Sequence, residues 1–188
     1  MPIYRAKMQH NAATIKKLIQ TGYDVFQFKR KLVNTVIALG LIFFGLYADK
    51  SMFMPWIALA VGCFMIPNLN AVPKMQASEV LKQMGGHFPK SDYRFHEKEF
   101  SFNEKEKPVP YKRLIRLIED KQYLYLYVAE QSGYMVDKGT VAGGSVSELK
   151  TYLEIETGMK FSRPANLFSF KITDLFPKKD NYKGPRLK

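Results

Sequence analysis

Cysteine and histidine are scarce in this chain. One cysteine, Cys63, and three histidines stand among 188 residues, which excludes a disulfide framework and a thiolate metal cluster. The histidines, His10, His87 and His96, fall in three separate segments. Only His96-Glu97 sets an imidazole beside a carboxylate, and on an exposed strand that pair reads as ordinary surface. The glycines of Gly139-Thr-Val-Ala-Gly-Gly144 lack the Gly-Lys-Ser/Thr ending of a phosphate-binding loop. Ser145 and Ser147 are explained by helix capping rather than nucleophilicity. The expectation is therefore a protein that is not an enzyme and needs no cofactor and no metal.

Acid is the second shortage, with 17 Asp and Glu against 29 Lys and Arg, a formal net charge of +12. Such a balance suits an anionic lipid surface or the cytoplasmic bias of membrane proteins. Nucleic acid is disfavoured: Phe168, Phe170 and Phe176 interleave with the basic tail, but no reader motif accompanies them.

What the chain has in quantity is apolar sequence. Leu32–Ala48 and Met52–Leu69 are two uncharged runs separated by Asp49-Lys50-Ser51. At ~1.5 Å per residue each approaches the ~30 Å of a bilayer core. Both are apolar on every side, which a small soluble domain could not cover. They lie too far from the start, and follow one another too closely, for a signal peptide. The reading is a transmembrane hairpin anchored by Lys29, Arg30 and Lys31 at the inner face and by Tyr47 and Trp56 at the outer turn. Basic residues crowd the segment before the hairpin, so both termini belong in the cytoplasm and the protein in the plasma membrane, as a multi-pass chain.

Around this hairpin the spacing predicts four parts. Residues 1–31 form a cytoplasmic juxtamembrane segment in which Ala12, Ile15, Leu18 and Ile19 line one face of a helix ending at Gly22. That face suits the inner leaflet or the soluble domain. Residues 32–72 are the hairpin. Residues 73–159 begin with a helix stopped by Gly85-Gly86 and continue as an antiparallel sheet: Tyr93–Phe102, an extended Pro108–Tyr111, Leu114–Ile118, Tyr123–Val128 and Gly133–Val136. A helix opened by the capping box Ser145-Val-Ser-Glu148 and closed by Gly158 completes them. Residues 160–188 are a basic tail. The fold class is thus an α+β membrane protein, a two-helix hairpin followed by a small antiparallel sheet domain with a C-terminal helix.

The strand series carries a resemblance. Tyr93-Arg-Phe95, Phe100-Ser-Phe102, Val109-Pro-Tyr111, Leu114-Ile-Arg-Leu-Ile-Glu-Asp-Lys-Gln-Tyr-Leu-Tyr-Leu-Tyr-Val128 and Gly133-Tyr-Met-Val-Asp-Lys138, set after a two-helix hairpin, resemble the bacterial YcxB-like membrane protein family over roughly residues 25–158. Tyr111 stands where that family usually has tryptophan, and Val136-Asp137-Lys138 where proline usually precedes the lysine. The resemblance implies a pleckstrin-homology-like cytoplasmic domain and no established activity.

Function is then expected from surfaces. Tyr123, Tyr125 and Tyr127 alternate with Leu124, Leu126 and Val128, so leucines face a core and tyrosines face outward, half-exposed or as a contact for a partner. Lys112, Arg113 and Arg116 add basic charge. The expected partners are membrane lipids and a membrane protein or a second copy of the chain. The leading reading is an interaction or regulatory module that recruits or modulates a membrane partner. The alternatives are a sensor of anionic lipid surface and an accessory subunit of a transporter.

Overall fold

A computed structural model of the chain describes residues 2–49, 51–103 and 107–164. The aromatic stretch Asn166–Phe176 and the rest of the basic tail lie outside the described residues. Among those described, the chain is α+β, with five α-helices and two small antiparallel sheets.

The order begins with a strand that the spacing did not predict. β1 (Tyr4–Gln9) buries Ala6 and Met8 and turns its odd-numbered basic residues outward. It pairs along its whole length with β2 (Lys90–Phe95), Tyr4 opposite Phe95 and Gln9 opposite Lys90. Residues 10–89 are therefore an insertion between two neighbouring strands. That insertion holds α1 (Ala12–Phe26), α2 (Phe28–Tyr47), α3 (Met54–Asn68) and α4 (Ala71–Met84). β3 (Glu99–Phe102) and β4 (Val109–Pro110) complete the first sheet in the order β1-β2-β3-β4. β5 (Arg116–Glu119), β6 (Tyr123–Ala129) and β7 (Ser132–Asp137) form the second, and α5 (Val146–Thr157) closes the domain. The expected series of strands is thus split between two sheets.

One face of the second sheet meets the first. Tyr134 packs edge-on to Phe100 and Tyr93, with centroids 5.1 and 6.4 Å away, and Leu117, Leu124, Leu126 and Val136 are fully buried. α5 adds Leu149 and Leu153, and its Lys150 reaches Glu119 at 2.8 Å. Its ends follow the sequence: Ser145 and Glu148 form the reciprocal capping box, and Gly158 takes the left-handed conformation at φ 68°.

The opposite face of the same sheet corrects the reading of the tyrosines. Tyr125 and Tyr127 are 0% and 2% exposed, because α1 lies across them. Alternation of Tyr with Leu marks a half-exposed strand only when nothing covers the second face. Here α1 does so, and its apolar side, with Ile15 buried and Leu18, Val25 and Phe26 packed against the core, rests on the sheet and not on a membrane leaflet. α1 also runs past Gly22 to Phe26. Residues 4–26 are thus part of the sheet domain, which corrects their assignment to a separate juxtamembrane segment.

α2 and α3 pack as an antiparallel pair through small residues. A Cβ added to Gly45 would lie 2.6 Å from the Leu59 Cβ and 2.7 Å from the Pro55 carbonyl; one added to Gly62 would lie 2.8 Å from the Ala38 carbonyl. Close backbone approach of this kind is how helices associate where water supplies no driving force. The outward surface is apolar, with Val33, Val36, Ile37, Phe43, Phe44, Phe64 and Ile66 all exposed. Polar groups within the pair turn back on their own helix: Thr35 donates to the Lys31 carbonyl at 2.8 Å and Asn68 to that of Phe64 at 2.8 Å. Among the described residues α2 is the one helix long and apolar enough by itself to cross a membrane. α3 meets that length only together with α4, from which it is bent by 41°. Pro67 removes a helical hydrogen bond just before the bend, and Pro73 enters the next helix in its first turn.

Candidate functional site at the foot of the helical pair

α1 and α4 stand side by side at the point where the chain enters and leaves the helical pair. Gln20 of α1 donates its amide to Asp24 at 3.0 Å and to Asn70, just before α4, at 3.5 Å. The Lys31 ammonium, at the start of α2, returns to Asp24 at 2.8 Å. Both partners of that pair are mostly covered, so Lys31 is committed inside the protein and is not available to lipid phosphate as its place in the basic run suggested. Lys29 and Arg30 remain exposed.

Between α1, α4 and the β6–β7 turn lies a groove of about 590 Å³. Two helical stripes line it. Leu18, Ile19, Gly22, Tyr23, Phe26 and Arg30 come from α1 and the first turn of α2; Val72, Gln76, Glu79, Val80 and Gln83 recur at helical spacing along α4. Tyr127 and residues 130–133 close the third side. The volume is that of a small-ligand or headgroup site, with an apolar floor under walls to which Arg30, Gln76, Glu79, Gln83, Glu130 and Gln131 contribute polar groups.

Tyr127 builds that floor. Its hydroxyl donates to the Leu18 carbonyl at 3.0 Å, and its ring meets Phe26 edge-on at 5.4 Å. Two glycines make room for it. A Cβ on Gly133 would sit 2.6 Å from the Tyr127 Cδ1, and one on Gly22 3.2 Å from its Cε1. Burial raises the phenol well above its ordinary range, with the nearby Asp24 charge adding to the effect. The Gln27 amide donates to Glu130 at 3.2 Å, tying the α1–α2 junction to the β6–β7 turn.

At the other end of the same sheet Asp120 gathers a second cluster. It accepts from the Tyr125 hydroxyl at 2.7 Å and from Lys17 at 2.8 Å, and from the backbone N–H groups of Gln122 and Tyr123. Burial would raise this carboxyl, but the four donors outweigh it and hold it down to about 2. Lys17 also stands over the Tyr123 ring at 4.7 Å. Tyr123 and Tyr125 thus serve α1 and the reversing loop, an internal partner in place of the external one the stripe suggested.

The remaining sequence candidates are dispersed. Lys112 and Arg113 are exposed on a single 3-10 turn, Tyr111–Arg113, whose Tyr111 is buried. Arg116 stands opposite Tyr127 in the β5–β6 register. Tyr47 and Trp56 lie at the far end of the helical pair, 82% and 51% exposed. Among the described residues no group of three His, Cys, Asp or Glu side chains is placed to hold a metal ion. The groove itself was missed from sequence. Its signal was present in the spacing Val72, Gln76, Glu79, Gln83, but one stripe defines a groove only once its facing helix is known. Comparison with protein-family models, curated proteins and solved structures finds no match.

Proposed function

We propose that this protein is a membrane-anchored, non-catalytic binding module, with α2 and α3 as the two arms of a membrane hairpin, α4 on the cytoplasmic side and both termini in the cytoplasm. The observation that carries the reading is the outward face of α2 and α3, apolar from Val33 to Ile66 and left exposed among the described residues. The exposed Lys29 and Arg30 at one end and Tyr47 and Trp56 at the other fit the inner and outer interfaces. The four-plus-three strand arrangement closed by α5 supports a pleckstrin-homology-like domain, and with it the likeness to the YcxB-like family. In this reading the membrane hairpin is an insertion between the domain's first two strands.

The module recruits or modulates a membrane protein. α1 binds the sheet on one side and α4 on the other, so the domain has a fixed attitude to the bilayer, which reduces the ordering cost of docking a neighbour in the same membrane. Sensing of anionic lipid is the second reading, favoured by the exposed Lys29 and Arg30 at the foot. The test is affinity capture of the full-length protein from its native membrane in mild detergent, read by mass spectrometry. One membrane protein in stoichiometric amount is the expected result. Lipid alone would remove the protein-partner reading and leave the lipid one.

A further inference from the structure

The groove at the foot carries charges that the fold leaves unused. Arg30 lines it, is exposed, and forms no ion pair among the described residues. It stands two residues before Leu32, where the apolar run begins. Glu79 lines the same groove, also without an ion pair among the described residues, and Glu130 accepts only the neutral amide of Gln27. One cation and two carboxylates thus surround an apolar floor at the depth where α2 leaves the domain.

These charges select among headgroups. A phosphatidylglycerol phosphate would satisfy Arg30 but lie against two carboxylates. A choline headgroup has no N–H to offer them. A headgroup that joins a phosphate to a primary ammonium answers both signs, through charge-assisted hydrogen bonds. Val33 and Ile37 follow Arg30 at three and seven residues, hence on the same side of α2, and both are exposed. They offer an acyl chain a track down the helix from that point.

We infer that the groove holds the headgroup of a phospholipid bearing a primary amine, its phosphate on Arg30 and its ammonium on Glu79 and Glu130, with the acyl chains on α2. This rests on the membrane reading above. The bound lipid would wedge between α1, α4 and the β6–β7 turn and fix the tilt of the domain on its anchor.

The experiment places the full-length protein in nanodiscs of equal phosphatidylethanolamine, phosphatidylcholine and phosphatidylglycerol and identifies retained lipid by native mass spectrometry. Phosphatidylethanolamine should be retained about tenfold over the others, the worth of one charged hydrogen bond. Arg30→Gln should lower its retention about as much, and Glu79→Gln with Glu130→Gln should erase the preference over phosphatidylcholine. All three positions are exposed, so the variants should melt like the parent. Equal retention of the three lipids, a preference for phosphatidylglycerol, or indifference to Arg30→Gln overturns the inference; a groove filled by a second copy or another protein gives the last result. Alkaline carbonate extraction reads insertion separately. Protein that stays in the bilayer without an amine preference sinks this inference alone, and protein released by carbonate sinks the membrane reading with it.

Discussion

The Tyr127 hydroxyl bonds the Leu18 carbonyl across 109 residues of sequence, at 3.0 Å. That bond fastens α1 to β6, and through α1 the whole helical insertion to the sheet domain. Tyr127→Phe removes that donor from the Leu18 carbonyl and should cost about 1 kcal/mol of domain stability. Tyr125→Ser removes a buried ring together with the donor to Asp120 and should cost roughly 3–5 kcal/mol. Thermal melts of the two variants check both values. A melt of Tyr125→Ser like that of the parent would restore the exposed-stripe reading.

The strand pairing predicts where the chain can be cut. Gln20 and Asn70 approach to 3.5 Å, so Phe26 and Ala71 can be joined by a short Gly/Ser linker with residues 27–70 removed. The product should be a folded, soluble domain with dispersed amide resonances, since both sheets and α1 are retained. A fragment of residues 74–188 lacks β1 and α1, leaves Tyr125 and Tyr127 bare, and should aggregate. Size-exclusion chromatography and NMR of the two distinguish these outcomes.

Glycines report on the helical pair. Gly45→Val and Gly62→Val place atoms where backbone or Cβ of the facing helix already stands, at 2.6–2.8 Å, and should drive the helices apart. Gly40 meets nothing within 4 Å, so Gly40→Ala should be neutral or gain about 0.5–1 kcal/mol from helix propensity. Protease protection in reconstituted vesicles, compared across the three variants, reads the difference. Equal protection in all three would mean that α2 and α3 do not touch through these residues.

His10 supplies a pH dependence. It is 8% exposed at the β1–α1 corner, and its Nδ1 has no partner among the described residues. Burial lowers its pKa below the ordinary 6.5. The unfolded chain therefore takes up the proton first as pH falls, and stability is full above 6.5 and lost on descent through the lower folded value. His10→Phe should flatten that slope below about pH 6.5. Denaturant midpoints for both proteins on descent from pH 6.5 test it, and an unchanged slope would show that His10 does not carry the loss.

Much of the architecture was legible locally. The ends of α5, the stop at Gly85 and the β2–β3 and β5–β6 turns follow from capping and turn chemistry, which act within a few residues. β1 was not legible, because Tyr4-Arg-Ala-Lys-Met-Gln9 is a short basic alternation that becomes a strand only when β2 arrives 80 residues later. The groove was hidden for the same reason, since its two stripes lie on helices separated by the whole hairpin.

By itself, then, the sequence determined the apolar helical pair, the α+β class and the basic bias at the foot, because hydrophobic period and charge are properties of neighbouring residues. Only the tertiary structure decided that the hairpin is inserted between β1 and β2, and that α1 buries the tyrosine face. It also decided that Lys31 is spent on Asp24 while Arg30 forms no ion pair among the described residues. Those outcomes depend on which distant surfaces meet, and burial on both faces of β6 overrides the alternation by which one exposed face would be read.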